Sequence, residues 1–334
     1  MLPFSEIKFA IVGATGNVGQ EFLKILHERN VPYGNIFVIA SERSIGKTLQ
    51  YGDAQLTLHD LDSFDFSQCQ VGLFSPGAKV SSVFAPKAAA LGCWVVDNTS
   101  FFRMDPDVPL VIPEINASTI KQAKRNIIAN PNCSTIQMLM ALQPIDRVSR
   151  LRTVIVSTYQ SVSGAGRLAE LELRKQIAGD QTVERFPCPI AYNVIPQIDV
   201  FLPTGETKEE WKMVMETQKI LQHSVDVFAT CVRVPVVRGH SEAVTLELTH
   251  DVPLVELEVA LNDFPGVTLK RNSYVTPLDI EGDDDVYVSR LRKDPYRQRW
   301  YQMWVVSDNI RKGAALNAVQ IVDKLVEFGM LRKG

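Results

Sequence analysis

Apolar positions in the first third of the chain follow two alternating periods. Short apolar runs at 7–12, 35–40, 71–75 and 93–97 read as strands. Between the first two, Val18, Phe22, Ile25 and Leu26 fall at helical spacing over 17–29, and a second helical pattern covers 80–91. Strand-helix alternation of this kind predicts a parallel sheet with crossover helices. A further helix is expected to start at Asn132 or Cys133 and to carry Ile136, Leu139, Met140 and Leu142 inward. From Leu151 the pattern changes. β-rich runs at 151–161, 225–237, 243–249 and 302–307 alternate with helical patterns at 167–177, 209–221 and 255–264. This predicts a mixed α+β domain, a sheet with helices on one face. The stretch 314–328 is an amphipathic helix with Ala318, Ile321, Val322 and Leu325 on one side. No Gly-, Ser- or Pro-rich linker separates the halves, so closely joined domains are expected.

Composition narrows the class. The 334 residues are 46% apolar and 22% charged, the profile of a soluble globular protein. A net charge of −3 gives no reason to expect nucleic acid, whose binding rests on clustered basic side chains. The basic segments Arg290-Leu-Arg-Lys293 and Arg297-Gln-Arg299 read as solvated surface. The cysteines at 69, 93, 133, 188 and 231 are scattered and form no C-x-x-C pair. That argues against a disulfide framework or a cysteine metal site and suits a reducing compartment. With no signal-peptide pattern and no apolar run near the roughly 20 residues that span a bilayer, no membrane partner and a cytoplasmic location are expected.

Two places carry chemistry. The first is Gly13-Ala-Thr15-Gly16-Asn17-Val18-Gly19, which follows a strand and opens a helix. Glycines there permit a tight turn and close approach of backbone amides to a phosphate, which the helix N-terminus also favours. The second strand ends Ala40-Ser-Glu-Arg43-Ser44. Ser41, Arg43 and Ser44 stand where a ribose-binding carboxylate is usual, which suits a 2′-phosphate and therefore NADP; Glu42 is the competing ribose ligand. Short-chain reductases share the glycine spacing, but no tyrosine here has the lysine four positions on that they require.

The second is Asn130-Pro-Asn132-Cys133-Ser-Thr135, just before a long apolar helix. Asn132 is a good N-cap, which places Cys133 in the first helical turn, where the dipole and free N–H groups favour a thiolate. The other cysteines sit in or beside apolar runs and read as packing residues. A nucleophilic cysteine needs a base, and His240, following Arg238-Gly239 in a turn between β-rich runs, is a candidate base as well as an ordinary turn histidine.

These segments, with Phe102-Arg103, Thr158-Tyr-Gln160-Ser-Val-Ser-Gly-Ala-Gly166, Glu216-Thr-Gln-Lys219, Arg233-Val-Pro-Val-Val-Arg-Gly-His240 and Ser307-Asp-Asn-Ile-Arg-Lys-Gly313, resemble the aspartate-semialdehyde dehydrogenase family along the whole chain. The resemblance implies an α/β fold: a Rossmann-type NADP-binding domain over 1–132 with helix 314–334, and a catalytic and dimerisation domain of mixed α+β type over 133–313. It implies NADP-linked, phosphorylating interconversion of L-aspartyl-4-phosphate and L-aspartate-4-semialdehyde, a step toward lysine, methionine and threonine, in a homodimer. It further implies that Cys133 is the nucleophile, His240 the acid/base and Gln160 the residue orienting the intermediate. Arg233 would meet the substrate carboxylate, Glu216 its amino group, and Arg103 and Lys219 the phosphate. Thr15–Val18, Arg43, Ser44, Ser163, Gly164 and Asn309 would contact the cofactor. The alternatives are N-acetyl-glutamyl-phosphate reductase, which needs no acidic partner for a free amino group, a catalytically dead dimeric homologue, and a cofactor-free cysteine hydrolase.

Overall fold

A computed structural model describes residues 2–41 and 46–331. The chain divides into two compact units, Met1–Pro131 with Ala314–Gly334, and Asn132–Gly313.

In unit one, β1 (Phe9–Val12), α1 (Asn17–Glu28) and β2 (Ile36–Ala40) are followed by a hairpin of β3 (Thr48–Tyr51) and β4 (Ala54–Thr57). Then come β5 (His59–Asp60), β6 (Val71–Phe74), α2 (Ala78–Ala90), β7 (Trp94–Asp97), the short α3 (Pro113–Asn116) and β8 (Ile127–Ala129). The sheet order is β5-β2-β1-β6-β7-β8, parallel throughout. Strand β1 is buried at every position, as expected for a parallel strand with both faces covered. The C-terminal helix Leu316–Glu327 turns Ala318, Ile321, Val322 and Leu325 into the same core as Phe22, Ile25 and Leu26 of α1. Because β2 pairs on one side of β1 and β6 on the other, the turn after β1 lies at the switch point where such sheets bind ligands. The expected alternation is present. The strand expected over 7–12 is shorter because Ile7 closes a 3-10 turn, Phe4–Glu6.

Unit two begins with α4 (Cys133–Val148), β9 (Leu151–Gln160), α5 (Arg167–Ile177), α6 (Lys208–Leu221) and β10 (Asp226–Arg233). It continues with β11 (His240–Leu248), α7 (Leu254–Asn262), β12 (Val267–Lys270), β13 (Val286–Lys293) and β14 (Trp300–Ser307). The mixed sheet runs β10-β9-β11-β14-β13-β12, with β10 parallel to β9 and β11 antiparallel to both β9 and β14. Helices α4, α6 and α7 pack on one face. Strand alternation sends Val154, Val156, Thr158 and Gln160 of β9, and His240, Glu242, Val244 and Leu246 of β11, to the buried side. Ile155, Tyr159 and Phe228 are exposed on the other side.

Other boundaries depart from expectation as well. β11 starts at His240, not Ala243, so His240 is a strand residue paired with Ser307 and not part of a turn. β10 stops at Arg233, two residues before Pro235, which has no N–H for a ladder. The helix expected over 314–328 begins at Leu316, after a π-helical turn, Arg311–Ala315.

Candidate active site

The sheet of unit two brings its chemistry to one end, because β9 and β10 finish there with Gln160 and Arg233, side by side, while β11 starts with His240. Cys133 is the first residue of α4, half-buried. Its helix is capped as the sequence predicts: Asn132 is extended, and its Oδ1 accepts from the backbone N–H groups of Ser134 at 3.0 Å and Thr135 at 3.3 Å. Burial pushes the Cys69 thiol up to about 12, and raises Cys93 and Cys231 as well. Those three are core residues, whereas Cys188 is half-buried beside a small apolar cluster.

Two carboxylates of α6 hold the cap residue. Glu209 and Glu216 are seven positions apart, two helical turns, and so share a face. Glu216, 1% exposed, accepts the Asn132 backbone N–H on Oε2 at 2.7 Å. Glu209 accepts from Asn132 Nδ2 at 2.8 Å, from Gln160 Nε2 at 3.3 Å and from Lys212 Nζ at 3.1 Å. Burial alone would raise Glu209, but Lys212, Asn132 and Arg233 hold its carboxyl below the usual range. Lys212 is in turn shared with Asp199, at 2.9 Å. Lys219 is half-buried in the last turn of α6, three residues after Glu216.

The Ser161 peptide connects the two basic residues. Its carbonyl accepts Arg233 Nη1 at 2.7 Å, and its N–H and hydroxyl each lie 3.0 Å from His240 Nδ1. Arg233 is buried and interacts electrostatically with Glu209 and, more weakly, with Cys133. A Cβ on Gly164 would stand 3.1 Å from Arg233 Nη1 and 3.2 Å from His240 Nε2, so the glycine keeps this space open. Asn309 accepts the Gly239 N–H at 2.8 Å and the Ser161 hydroxyl at 3.2 Å, and it exchanges hydrogen bonds with the Ser163 hydroxyl. Unit two thus brings together Cys133, Gln160, Ser163, Gly164, Arg233, His240 and Asn309, with Glu216 on the cap.

In unit one the glycine turn forms as expected. Gly13 has φ +84°, and a Cβ on Gly19 would sit 2.4 Å from the Gly13 carbonyl oxygen, so β1 and α1 approach this closely only with glycine. Gly16 is the N-cap of α1 and has no side chain with which to cap that end. Arg103 is buried in this unit, donating from Nε to the Asn130 carbonyl at 3.0 Å and from Nη2 to the Asn98 carbonyl at 2.9 Å. Asn130 also joins the Asn98 and Asn317 side chains, at 2.8 and 2.7 Å. In the Asn-Pro-Asn-Cys motif, then, the first asparagine anchors unit one and the second caps the cysteine helix. Arg43 and Ser44 lie outside the described residues. Sequence reasoning missed Ser161, Glu209 and Lys212. The helical spacing of Glu209 and Glu216 was the one signal available.

The semialdehyde dehydrogenase NAD binding domain family matches residues 8–123, and the semialdehyde dehydrogenase dimerisation domain family matches 142–312. The aspartate-semialdehyde dehydrogenase of Shewanella sp. (strain DB6705) is 48% identical over 333 residues, spanning 96% of this chain and 98% of the relative. That of Aquifex aeolicus is 47% identical over 337 residues, with 97% and 99% covered. The crystal structure of Vibrio cholerae aspartate semialdehyde dehydrogenase II complexed with ASA superposes with a TM-score of 0.94 at 46% identity, covering 96% of this chain and 98% of that one. With both family domains matched in order and nearly the whole length shared, the chain belongs to the aspartate-semialdehyde dehydrogenase family.

Proposed function

We propose that the enzyme reduces L-aspartyl-4-phosphate to L-aspartate-4-semialdehyde with NADPH, through a thioester on Cys133, and runs in reverse with phosphate. The observation that carries this reading is the setting of Cys133: first in a capped helix and close to the Arg233 guanidinium, both of which favour a thiolate. The thiolate attacks the acyl carbon, and thioester formation splits one difficult step into two. Arg233 keeps donors of its fork beyond the one given to Ser161 and is assigned the substrate carboxylate. Glu216 is assigned the ammonium, Gln160 the orientation of the reacting carbonyl, and Arg103 and Lys219 the phosphate.

The turn after β1 fits a dinucleotide: it is glycine-lined, lies at the sheet's switch point and opens a helix whose N-cap is a glycine. Gly13, Thr15, Gly16, Asn17, Val18 and Gly19 are therefore assigned to the pyrophosphate, and Ser163, Gly164 and Asn309 are proposed as further cofactor contacts. When bound, the nicotinamide gives or accepts the hydride.

The assay that tests this is phosphate-dependent NADP⁺ reduction with aspartate semialdehyde, run beside N-acetyl-glutamate semialdehyde. Turnover of the first alone, abolished in Cys133→Ala, is expected. Preference for the acetylated substrate, or activity retained without Cys133, would reject the reading. We further propose that two copies pack through the open face of the second sheet, where Ile155 is 42% and Phe228 61% exposed. An aspartate at Phe228 should shift sedimentation from dimer to monomer. Among the described residues no helix is long and apolar enough to cross a membrane; the cytoplasmic location is proposed from the scattered free cysteines, which suit a reducing compartment.

A further inference from the structure

The π-helical turn Arg311–Ala315 brings its backbone up against the start of α4. A Cβ on Gly313 would stand 3.0 Å from the Cys133 Cβ and 3.4 Å from its Cα. Both are closer than the roughly 3.5–4.0 Å at which carbon atoms rest against one another. Gly313 is not among the glycines with positive φ, so it is space and not conformation that demands glycine here. Single turns of π-helix are rare and gather at functional sites.

One residue holds this turn. Asp308 follows β14 and is wholly buried, and its main-chain oxygen accepts the Gly313 N–H at 3.0 Å, the five-residue bond of a π-helix. Its Oδ1 accepts the Ile310 and Arg311 N–H groups at 3.0 and 3.1 Å. Its Oδ2 accepts the Gly282 N–H at 2.7 Å, and Arg238 Nε donates to both oxygens, at 2.9 and 2.7 Å. The carboxylate thus closes the turn at its start and ties it to two other loops of unit two. Across the contact, Cys133 is held just as firmly: Asn132 caps its helix and is itself gripped by Glu209 and Glu216. With both partners pinned, the spacing between Gly313 and Cys133 is a fixed dimension of the fold.

We infer that Asp308 is a positioning residue for the nucleophile: through the π-turn it sets Gly313 as a wall against Cys133, and the wall holds the thiolate in place for attack. This rests on Cys133 being the nucleophile. Asp308 acts through Gly313 and is not itself assigned to the substrate. A carboxylate is needed because four N–H donors converge on it and it has only acceptors to offer.

Gly313→Ala and Asp308→Asn probe the wall from its two ends in the whole enzyme. The alanine methyl crowds Cys133. The asparagine keeps one acceptor oxygen but sets amide hydrogens against the Gly282 N–H or Arg238, so the turn backs away. In both, kcat for phosphate-dependent NADP⁺ reduction should fall about tenfold to a hundredfold, with KM for aspartate semialdehyde within about twofold of the parent. Because the two changes act on one contact, the double variant should lose less than the product of the single losses. Iodoacetamide alkylation of Cys133, followed by mass spectrometry without substrate, should slow in Gly313→Ala and quicken in Asp308→Asn. Its pH midpoint should match the parent's in both, since the capped helix start is untouched. Arg238→Lys keeps the charge and should show the Asp308→Asn pattern in weaker form; it serves if that variant does not fold. Losses that multiply in the double variant, a fall confined to the melting temperature, a shifted midpoint, or unchanged alkylation rates would overturn the inference. A parent inactive on aspartate semialdehyde, or active without Cys133, would reject the functional reading, while alkylation would still report whether Asp308 sets the wall.

Discussion

Gly164 shows how little room there is beside Arg233 and His240. Its backbone sits at negative φ, so a side chain is sterically allowed there by its own peptide, and the cost of one comes from its neighbours. In Gly164→Ala the new methyl presses on the Arg233 fork and on a ring that Ser161 prevents from turning aside. We expect kcat/KM to fall about tenfold to a hundredfold, as small misplacements of reacting groups do, with the melting temperature nearly unchanged. A variant that loses stability and keeps its activity would show that Gly164 only fills space. At this scale the sequence made Cys133 legible, because a cap is a local event: Asn132 satisfies amides two and three residues on. It could not make Ser161 or Glu209 legible, because their partners lie 79 and 77 positions away and meet them only once the sheet has formed.

Helix α6 is less a packing element than a rail of carboxylates. Thr207 and Glu210 form its capping box, and Glu210 also accepts the Cys231 backbone N–H at 2.9 Å. Glu209 and Glu216 hold the Asn132 cap from one face of the helix. Glu209→Leu would remove the carboxylate that Lys212, Asn132 and Gln160 share, leaving Lys212 with Asp199 and Arg233 without the negative charge that acts on it most strongly. Breaking a buried pair from one side costs about 3–5 kcal/mol. Urea unfolding should therefore show a loss near that size, with a rise in KM as Gln160 and Arg233 loosen. A loss below about 1 kcal/mol, the scale of an exposed ion pair, would mean the network is idle. The elements themselves were readable where periodicity was strong, as in α5, whose bounds match the expected 167–177. Strands β12 and β13 escaped because half of β13 is the basic run Ser289-Arg-Leu-Arg-Lys293, which reads as surface; Arg290, Arg292 and Lys293 are indeed exposed, at the far end of a strand whose start is buried.

For the molecule as a whole, the buried carboxyl of Glu242 sets part of the response to pH. It lies beside Gln137 on the helix-covered face of β11, its oxygens meet no donor at hydrogen-bonding geometry among the described residues, and burial raises its pKa well above the usual value. The folded state thus keeps a proton that the unfolded chain releases above about pH 4.5. The contribution is full below that pH and is lost as pH rises toward the folded midpoint. Glu242→Gln should remove this slope, so its urea midpoint should gain on that of the parent between about pH 5 and pH 8. Parallel pH profiles would show Glu242 ionised in the fold. The two-part composition of the chain was legible in its periodicities, which switch near Leu151. The exchange of residues between the units was implied by the family resemblance alone, since no change in composition marks Pro131 or Gly313.

Unit two is a single contiguous segment, whereas unit one is completed only by residues after 313. On a ribosome, which delivers the chain from its N-terminus, the parallel sheet of unit one is therefore synthesised early and left open. The apolar stripe of Ala318, Ile321, Val322 and Leu325 arrives after all of the second sheet. During that interval the apolar surface which the last helix will cover has no partner in its own unit, the kind of exposure that recruits chaperones and seeds aggregation. The unit that carries Cys133 is free to fold first, and the unit matched by the NAD binding domain family closes last.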